Sequence, residues 1–533
     1  MASAEIQPNT LIKQALALEY DEDPLYYEEA GKTYVVRLRD LENMVAMDLG
    51  DLPVECISVE ESSPILVSRM EDDARIYEIG GRLTEFFPIY FVAALYELQS
   101  LLIKSDTQAY VIGGITRDLL LYEERRLEIQ DVDITIEGDA LAFVEFIAKN
   151  SKNFSLEEVF PEFGTAKVKY KEGLGFDIAS TRKEVYPHCG ALPQVVRRGV
   201  PLFEDISRRD FSTNALALSV NTPGRIIDYT NGIADIEAGL VRVLHPASFY
   251  EDPSRVLRAY KFAARFGFNF APETERLLKM FFKHPLPEDT YRGGGDRIRY
   301  ELGEFLITED STHKNRWLKH FMENHALRLV NMELGMQGSG EEDFKRLANA
   351  AQGLYLLGET IDAFRETGPL YRVYLCLLFQ NFEGEMLEKT LHRLGLTRAE
   401  REVIEKYQRI RAEKRFYTLK EFAPPVDVYD LFNNLPLATV GAGIIDAGSD
   451  EPARLKTLLD AFNMYKRKWE NVEIELDGDD LIDLGVAKGP AVGEMLRKLL
   501  HARLAGRVLD RMSEVRFVQQ DLEESAEEMT DSV

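Results

Sequence analysis

Residues 110–135 read YVIGGITRDLLLYEERRLEIQDVDIT, and this stretch decides the fold. The apolar run Tyr110–Val111–Ile112 meets Gly113 and Gly114, and a helix-like segment carrying Arg117 and Asp118 follows. A charged connection leads to Asp131–Val132–Asp133–Ile134–Thr135, where Val, Ile and Thr favour a strand. Alternate residues of a strand share a face, so Asp131 and Asp133 point one way and Val132 and Ile134 the other. Two carboxylates side by side repel unless a cation lies between them. Hard oxygen ligands suit Mg²⁺, which binds through one or two carboxylates plus substrate phosphates.

The paired glycines supply the other half of the idea. Without Cβ atoms the backbone can come close to a phosphate, and the N–H groups of a helix start favour an anion. A metal-bound nucleoside triphosphate fits both halves. A lone Gly-Gly or a lone Asp-x-Asp is usually a tight turn or a surface pair; here the order, the spacing and the rest of the chain favour the nucleotide.

GGITRDLLL followed by DVDI resembles the first signature of the class II tRNA nucleotidyltransferases. These are the CCA-adding enzymes and their A-adding and CC-adding relatives, within the polymerase-β-like superfamily. The resemblance runs from about Tyr110 to about Leu306 and recurs from about Asp477 to Gly506; it does not cover the first hundred residues. It implies an α+β fold, with a head built on a mixed five-stranded sheet and all-α neck, body and tail domains after it. It also implies that Asp131 and Asp133 hold two Mg²⁺ ions, and that Gly113, Gly114, Arg117 and Asp118 belong to the nucleotide site.

The whole chain is compatible with this. At 533 residues it divides into several domains. Its 45% hydrophobic and 29% charged content is that of a soluble globular protein. The longest apolar stretch, near Phe86 to Tyr96, is far short of the ~20 residues a membrane span needs, and MASAEIQPNT does not show the basic-then-apolar pattern expected of a signal peptide. Three cysteines without zinc spacing point to the cytoplasm. The formal charge of −27 argues against a nucleic-acid partner only if read naively, because a basic track can sit on an acidic body.

Taken in order, residues 1–82 read as a small strand-containing α+β module with no catalytic constellation. Residues 83–240 form the expected head, opening with an amphipathic helix from Leu83 to Lys104 that contains Pro88 in its early turns. After Asp133, GDALAFVEFIAKN reads as a helix and FGTAKVKYKEGLGFDIAST as two strands, the second carrying Asp177, a candidate third carboxylate. The turn-rich segment 181–195 resembles the loop that family members move when switching to ATP. It contains His188 and Cys189, without a partner that would make a nucleophile.

In ISRRDFSTNALAL the resemblance implies that Arg209 meets the triphosphate while Asp210 and Asn214 read ribose hydroxyls, roles suited to a forked donor and to polar acceptors. RIIDYTNGIADIEAGLVRVL resembles the third signature and reads as a packing element, with Asn231 where a glycine is usual; Asn tolerates positive φ.

Residues 241–310 form the expected neck. In SFYEDPSRVLRAYKFAARFGF, Asp252, Arg255 and Arg258 are three apart and share a face. The resemblance makes Glu251 to Arg255 the nucleotide-selecting motif. Cytosine and adenine both present an amino donor beside a ring-nitrogen acceptor, so a carboxylate and a guanidinium admit both and reject uracil and guanine, which leave buried polar groups unpaired. Arg297 and Glu301 are one turn apart and read as a brace for the neck helices.

Residues 311–470 read as an all-α body with a break at Pro424–Pro425. Residues 471–515 read as a tail in which Lys488, Gly489, Gly493, Arg497 and Lys498 form a helix start able to hold RNA phosphates. Residues 516–533 read as an acidic, disordered end. The expected function is template-independent, Mg²⁺-dependent addition of C and A from CTP and ATP to the 3′ end of tRNA, with the acceptor and TΨC arm measured by shape. A partial enzyme adding only A or only CC is the nearest alternative; a poly(A) polymerase and a catalytically silent RNA-binding protein are further ones.

Overall fold

The computed structural model describes residues 6–18, 25–63, 74–79, 83–121, 129, 131–171, 173–284, 294–306, 311–331, 367–448 and 451–530. Residues 64–73 of the expected N-terminal module, most of the charged connection before Asp131 and residues 332–366 of the expected all-α body lie outside them. Two compact units emerge, residues 1–340 with 392–395, and residues 341–391 with 396–533. The division lies near residue 340, not 310: Trp317, expected in the body, is buried in the first unit and donates to the Phe268 carbonyl at 3.1 Å.

The first unit opens with a three-stranded antiparallel sheet, Leu25–Glu29 (β1), Lys32–Val36 (β2) and Val59–Glu60 (β3), packed with the helices Ile12–Leu16 and Leu38–Ala46. Its next strand, Arg75–Glu78 (β4), leaves this module and joins the main sheet. The other main-sheet strands are Gln108–Ile112 (β5), Asp131–Glu137 (β6), Phe154–Phe160 (β7), Thr165–Tyr170 (β8) and Gly175–Ser180 (β9). Beyond a separate hairpin, Arg182–Val185 (β10) and Gln194–Arg198 (β11), come Leu216–Ser219 (β12) and Arg225–Asp228 (β13).

The sheet order is β4-β13-β12-β5-β6-β9-β8-β7, with β6 and β9 parallel and the other neighbours antiparallel. The mixed sheet expected as five-stranded therefore has eight strands. Short edge pieces such as RIYE carry little period-2 signal, and pairing across the chain, not local pattern, recruits them.

Alternation in β6 does what its sequence requires. Val132, Ile134 and Ile136 are buried in the core, while Asp131 and Asp133 face out of it. Beneath the sheet lies the helix Ile89–Ser105, whose Phe91, Leu95, Leu98 and Leu102 recur at helical spacing and are buried. Each such side chain contributes about 1.5–3 kcal/mol of burial. Pro88 does not sit inside this helix: it caps the start, because proline has no N–H to give to a preceding turn.

The neck helix Ser254–Phe266 packs against Gly295–Leu306 and Ser311–Glu323 around Tyr260, which meets Phe270, Phe305, Trp317 and Phe321.

The second unit is all helix among the described residues, with Pro424 and Pro425 at the start of Pro425–Phe432, where a break was expected. Its tail has its own core of Leu476, Leu481, Val486, Met495, Leu499 and Val518. The end expected to be disordered instead continues the helix Arg511–Thr530. Val518 fixes this, being fully buried in that core and partnered by Val515 and Leu522 on the same face, while Glu523 and Glu524 are exposed.

Candidate active site

Register brings the carboxylates together. On the parallel pair β6–β9, Asp133 lies directly opposite Asp177 and Asp131 opposite Gly175. Asp131, Asp133 and Asp177 therefore share one sheet face, with Lys167 of β8 at 3.8 Å from Asp177. The turn after β5 delivers Gly113, with φ +89°, so close that a Cβ there would stand 3.8 Å from the Asp133 carboxylate.

Crowding by protein pushes the Asp133 carboxyl above its ordinary value. Arg209 opposes this, and the Asp177 and Asp131 carboxylates add to it. Among the described residues, no three His, Cys, Asp or Glu side chains close into a ready-made metal cage. Mg²⁺ takes one or two carboxylates and completes its shell with water and substrate phosphate. Asp131 and Asp133, facing the same way beside a glycine turn, fit such an ion.

A cavity of about 470 Å³, large enough for a nucleotide, lies against this edge. Gly113, Gly114, Arg117, Asp133, Arg209, Asp210, Asn214, Asp252, Arg255 and Arg258, all singled out in the sequence, line it. Asp118, Asp131 and Asp177 do not. Tyr186, Glu184, Arg208 and Phe262 line it as well, and sequence reasoning did not select them.

Several expected ligand contacts are made by the protein to itself. Arg117 is buried, donates to Asn214 at 2.7 Å, pairs with Asp118 at 2.7 Å and stacks on Phe262 and Phe266. Asn214 in turn donates to Asp210 at 3.1 Å, and Asp210 receives Arg258 at 2.8 Å. Arg258 also reaches Glu301, which holds Lys261. This chain ties the glycine-turn helix to the neck. Burial alone would raise the Asp210 carboxyl, but Arg258, Asn214 and Arg255 hold it below the usual range.

Arg209 differs from this set. Its Nη2 meets Asp205 at 2.9 Å, while its buried Nε–H has no hydrogen-bond partner. An unmatched guanidinium donor in the wall of a polar cavity asks for an anion.

At the base-selecting end, Asp252 and Arg255 are each fixed by other groups. Asp252 accepts from the Ser254 backbone at 3.0 Å and hydroxyl at 2.6 Å, and from Arg297 at 2.8 Å. Arg255 donates to Ser248 at 2.8 Å, to the Arg208 carbonyl at 2.9 Å and to Tyr186 at 3.2 Å. Arg297, expected as a brace, thus reaches into the site, spanning Asp252 and the Gly190 and Ala191 carbonyls. Its i,i+4 spacing to Glu301 gave no sign of this, because the partner comes from another segment.

The third signature packs as expected. Asp228 accepts from the N–H groups of Thr230, Gly232 and Ile233 and caps Gly232–Ala238, with Asn231 at φ +63°. Cys189 is buried and its thiol is pushed up by burial, which excludes a thiolate nucleophile there.

In the second unit, Gly489 at φ +108° starts the helix Pro490–Leu504, with Lys488, Gly493 and Arg497 exposed. Lys498 is engaged with Asp521 at 2.9 Å.

Comparison with known proteins agrees with this geometry. Residues 109–242 match the family described as poly A polymerase head domain. The chain is 32% identical to an A-adding tRNA nucleotidyltransferase of Aquifex aeolicus, over 74% of this chain and 44% of that protein. It is 29% identical to one of Geobacter sulfurreducens, over 83% of this chain and 48% of that protein. It therefore spans about half the length of these curated relatives. A solved Thermotoga maritima CCA-adding enzyme complexed with tRNA superposes with a TM-score of 0.63 at 25% identity, covering 84% of this chain and 99% of that one. By head sequence and by fold, the chain is thus similar to tRNA nucleotidyltransferases, and residues 109–242 carry the poly A polymerase head domain.

Proposed function

We propose that this protein adds A and C from ATP and CTP to the 3′ end of tRNA without a template. The observation that carries the reading is a single cavity lined by Gly113, Gly114 and Asp133 and also by Asp252 and Arg255. One nucleotide can present its phosphates to the first group and its base edge to the second.

Asp131 and Asp133 would hold Mg²⁺, which when bound neutralises phosphate charge and activates a hydroxyl. The unmatched Nε–H of Arg209 donates to a triphosphate oxygen. The 3′-hydroxyl oxygen of the RNA forms the new bond to the α-phosphorus, and pyrophosphate leaves. Asp252 accepts from the amino group of cytosine or adenine while Arg255 donates to the ring nitrogen, and uracil and guanine leave both unpaired. In the tail, Lys488, Gly489, Gly493 and Arg497 meet backbone phosphates of the acceptor–TΨC arm.

Restriction to the terminal A is a second reading, favoured by the A-adding activity named for the Aquifex and Geobacter relatives. Each of the four nucleoside triphosphates, offered singly with Mg²⁺ and a tRNA transcript ending in CC, tests the proposal. Extension by ATP, with UTP and GTP rejected, is the expected result. Equal use of all four, or of none, contradicts it.

A further inference from the structure

The Arg255 guanidinium has a front and a back. Tyr186 and Arg208 share its side of the nucleotide cavity, whereas His245 and Glu251 are absent from the cavity wall. At the back, His245 Nε2 lies 3.3 Å from Arg255 Nη1 and 3.1 Å from the Glu251 carboxylate, which is itself 3.7 Å from Arg255. One ring nitrogen faces both a guanidinium and a carboxylate. It accepts from Arg255 when it carries a lone pair and donates to Glu251 when it carries the proton, so it serves one at a time.

The segment carrying Glu251 is backed by the helix Pro272–Lys283, to which the N-terminal module is fastened. Arg276 donates to Ser58 at 2.9 Å and stacks on Tyr34 at 4.5 Å, and Glu55 binds Lys283 at 3.0 Å and His284 at 2.7 Å. Phe281 of that helix packs on Phe249 and Tyr250, next to Glu251.

We propose that His245, held in turn by the Glu251 carboxylate, is a positioning residue for Arg255. This rests on the reading of Arg255 as a base-selecting group. A guanidinium that must meet both the smaller cytosine and the larger adenine is served by a neighbour with two hydrogen-bonding states.

The test uses the full chain with His245→Leu, His245→Gln and Glu251→Gln. For each, kcat and KM are measured for ATP, CTP, GTP and UTP on tRNA transcripts, with KM for tRNA alongside. Loss of one hydrogen bond to a charged group predicts about a tenfold rise in KM for accepted nucleotides with His245→Leu. Discrimination against GTP and UTP should narrow about as much, while KM for tRNA stays put. His245→Gln restores most of the loss, since its amide offers a separate acceptor and donor. Glu251→Gln moves discrimination the same way by about threefold, and it carries the test if His245→Leu does not fold. Unchanged discrimination, or a uniform fall in kcat for every nucleotide, overturns the inference. A wild-type protein that adds no nucleotide overturns the proposed function as well; an active wild type with unaltered variants overturns this inference alone.

Discussion

Arg297 donates to the Asp252 carboxylate at 2.8 Å, from a helix some forty residues further along the chain. The same guanidinium reaches the carbonyls of Gly190 at 3.2 Å and Ala191 at 2.9 Å. Three acceptors on two segments are held by one fork, which fixes the carboxylate offered to a base. Arg297→Ala should lower kcat/KM for the accepted nucleotide about 10–100-fold and weaken base discrimination. Arg297→Lys should not rescue it, because a point charge does not span the same three acceptors. Steady-state kinetics with four nucleotides check this.

The facing of Asp133 and Asp177 across β6 and β9 separates two roles. Asp131→Ala and Asp133→Ala should each reduce nucleotide addition by about 10³-fold or more, since both are needed to hold the cation. Asp177→Asn should reduce it less, about tenfold, by altering the charge beside Asp133. None of the three should change tRNA affinity in a filter-binding assay by more than about twofold, because no phosphate-binding base is removed.

Gly232 opens the helix capped by Asp228, and a Cβ placed on it would stand 2.2 Å from the Ser212 carbonyl oxygen and 3.1 Å from Leu216. Backbone cannot yield as a side chain can. Gly232→Ala should destabilise the first unit by about 2 kcal/mol or more, read as a lower denaturation midpoint.

Asp210 is buried beside Arg258 and Asn214, which keep its carboxyl below the ordinary range despite burial. A carboxyl lowered in the folded state stabilises the fold above its unfolded pKa of about 3.9, and that contribution is lost as pH falls through the folded value. Asp210→Asn should therefore cost most at neutral pH. The gap in melting temperature between wild type and variant should hold from pH 7 to about 5 and shrink as pH falls below about 4.

In the tail, Arg497 is exposed, whereas Lys498 is engaged by Asp521 at 2.9 Å. If this helix start meets RNA phosphates, Lys488→Ala and Arg497→Ala should each reduce the slope of log K against log salt by about one. Lys498→Ala should change it less, because its charge is already partly neutralised. Salt titrations of tRNA binding measure all three.

Much of the site was legible because its residues lie on short local periods. The alternation of Asp131 and Asp133, the glycine pair at 113–114 and the three-residue spacing of Asp252, Arg255 and Arg258 all encode geometry within one element. Arg117 shows where locality fails. Its place beside the glycines suggested a phosphate ligand, but Phe262 and Phe266 come from the neck and claim it as a stacked, buried strut. Arg297 and Tyr186 were missed for the same reason, since each acts on a residue distant in sequence. Likewise β4 joins the sheet only through β13, and the acidic end is helical only because Val518 is buried in a core built from residues that precede it.

The central claim is addition of A or C to tRNA by the Asp131–Asp133 edge. Three tRNA transcripts, ending before CCA, after C and after CC, should be given Mg²⁺ with CTP, ATP or both, and the products sized on a gel. Wild type should extend the CC-ended transcript by a single A, with C added to the shorter ones if the activity is complete, and Asp131→Ala should extend none. Failure of wild type to extend any transcript, or full extension by Asp131→Ala, would contradict the account.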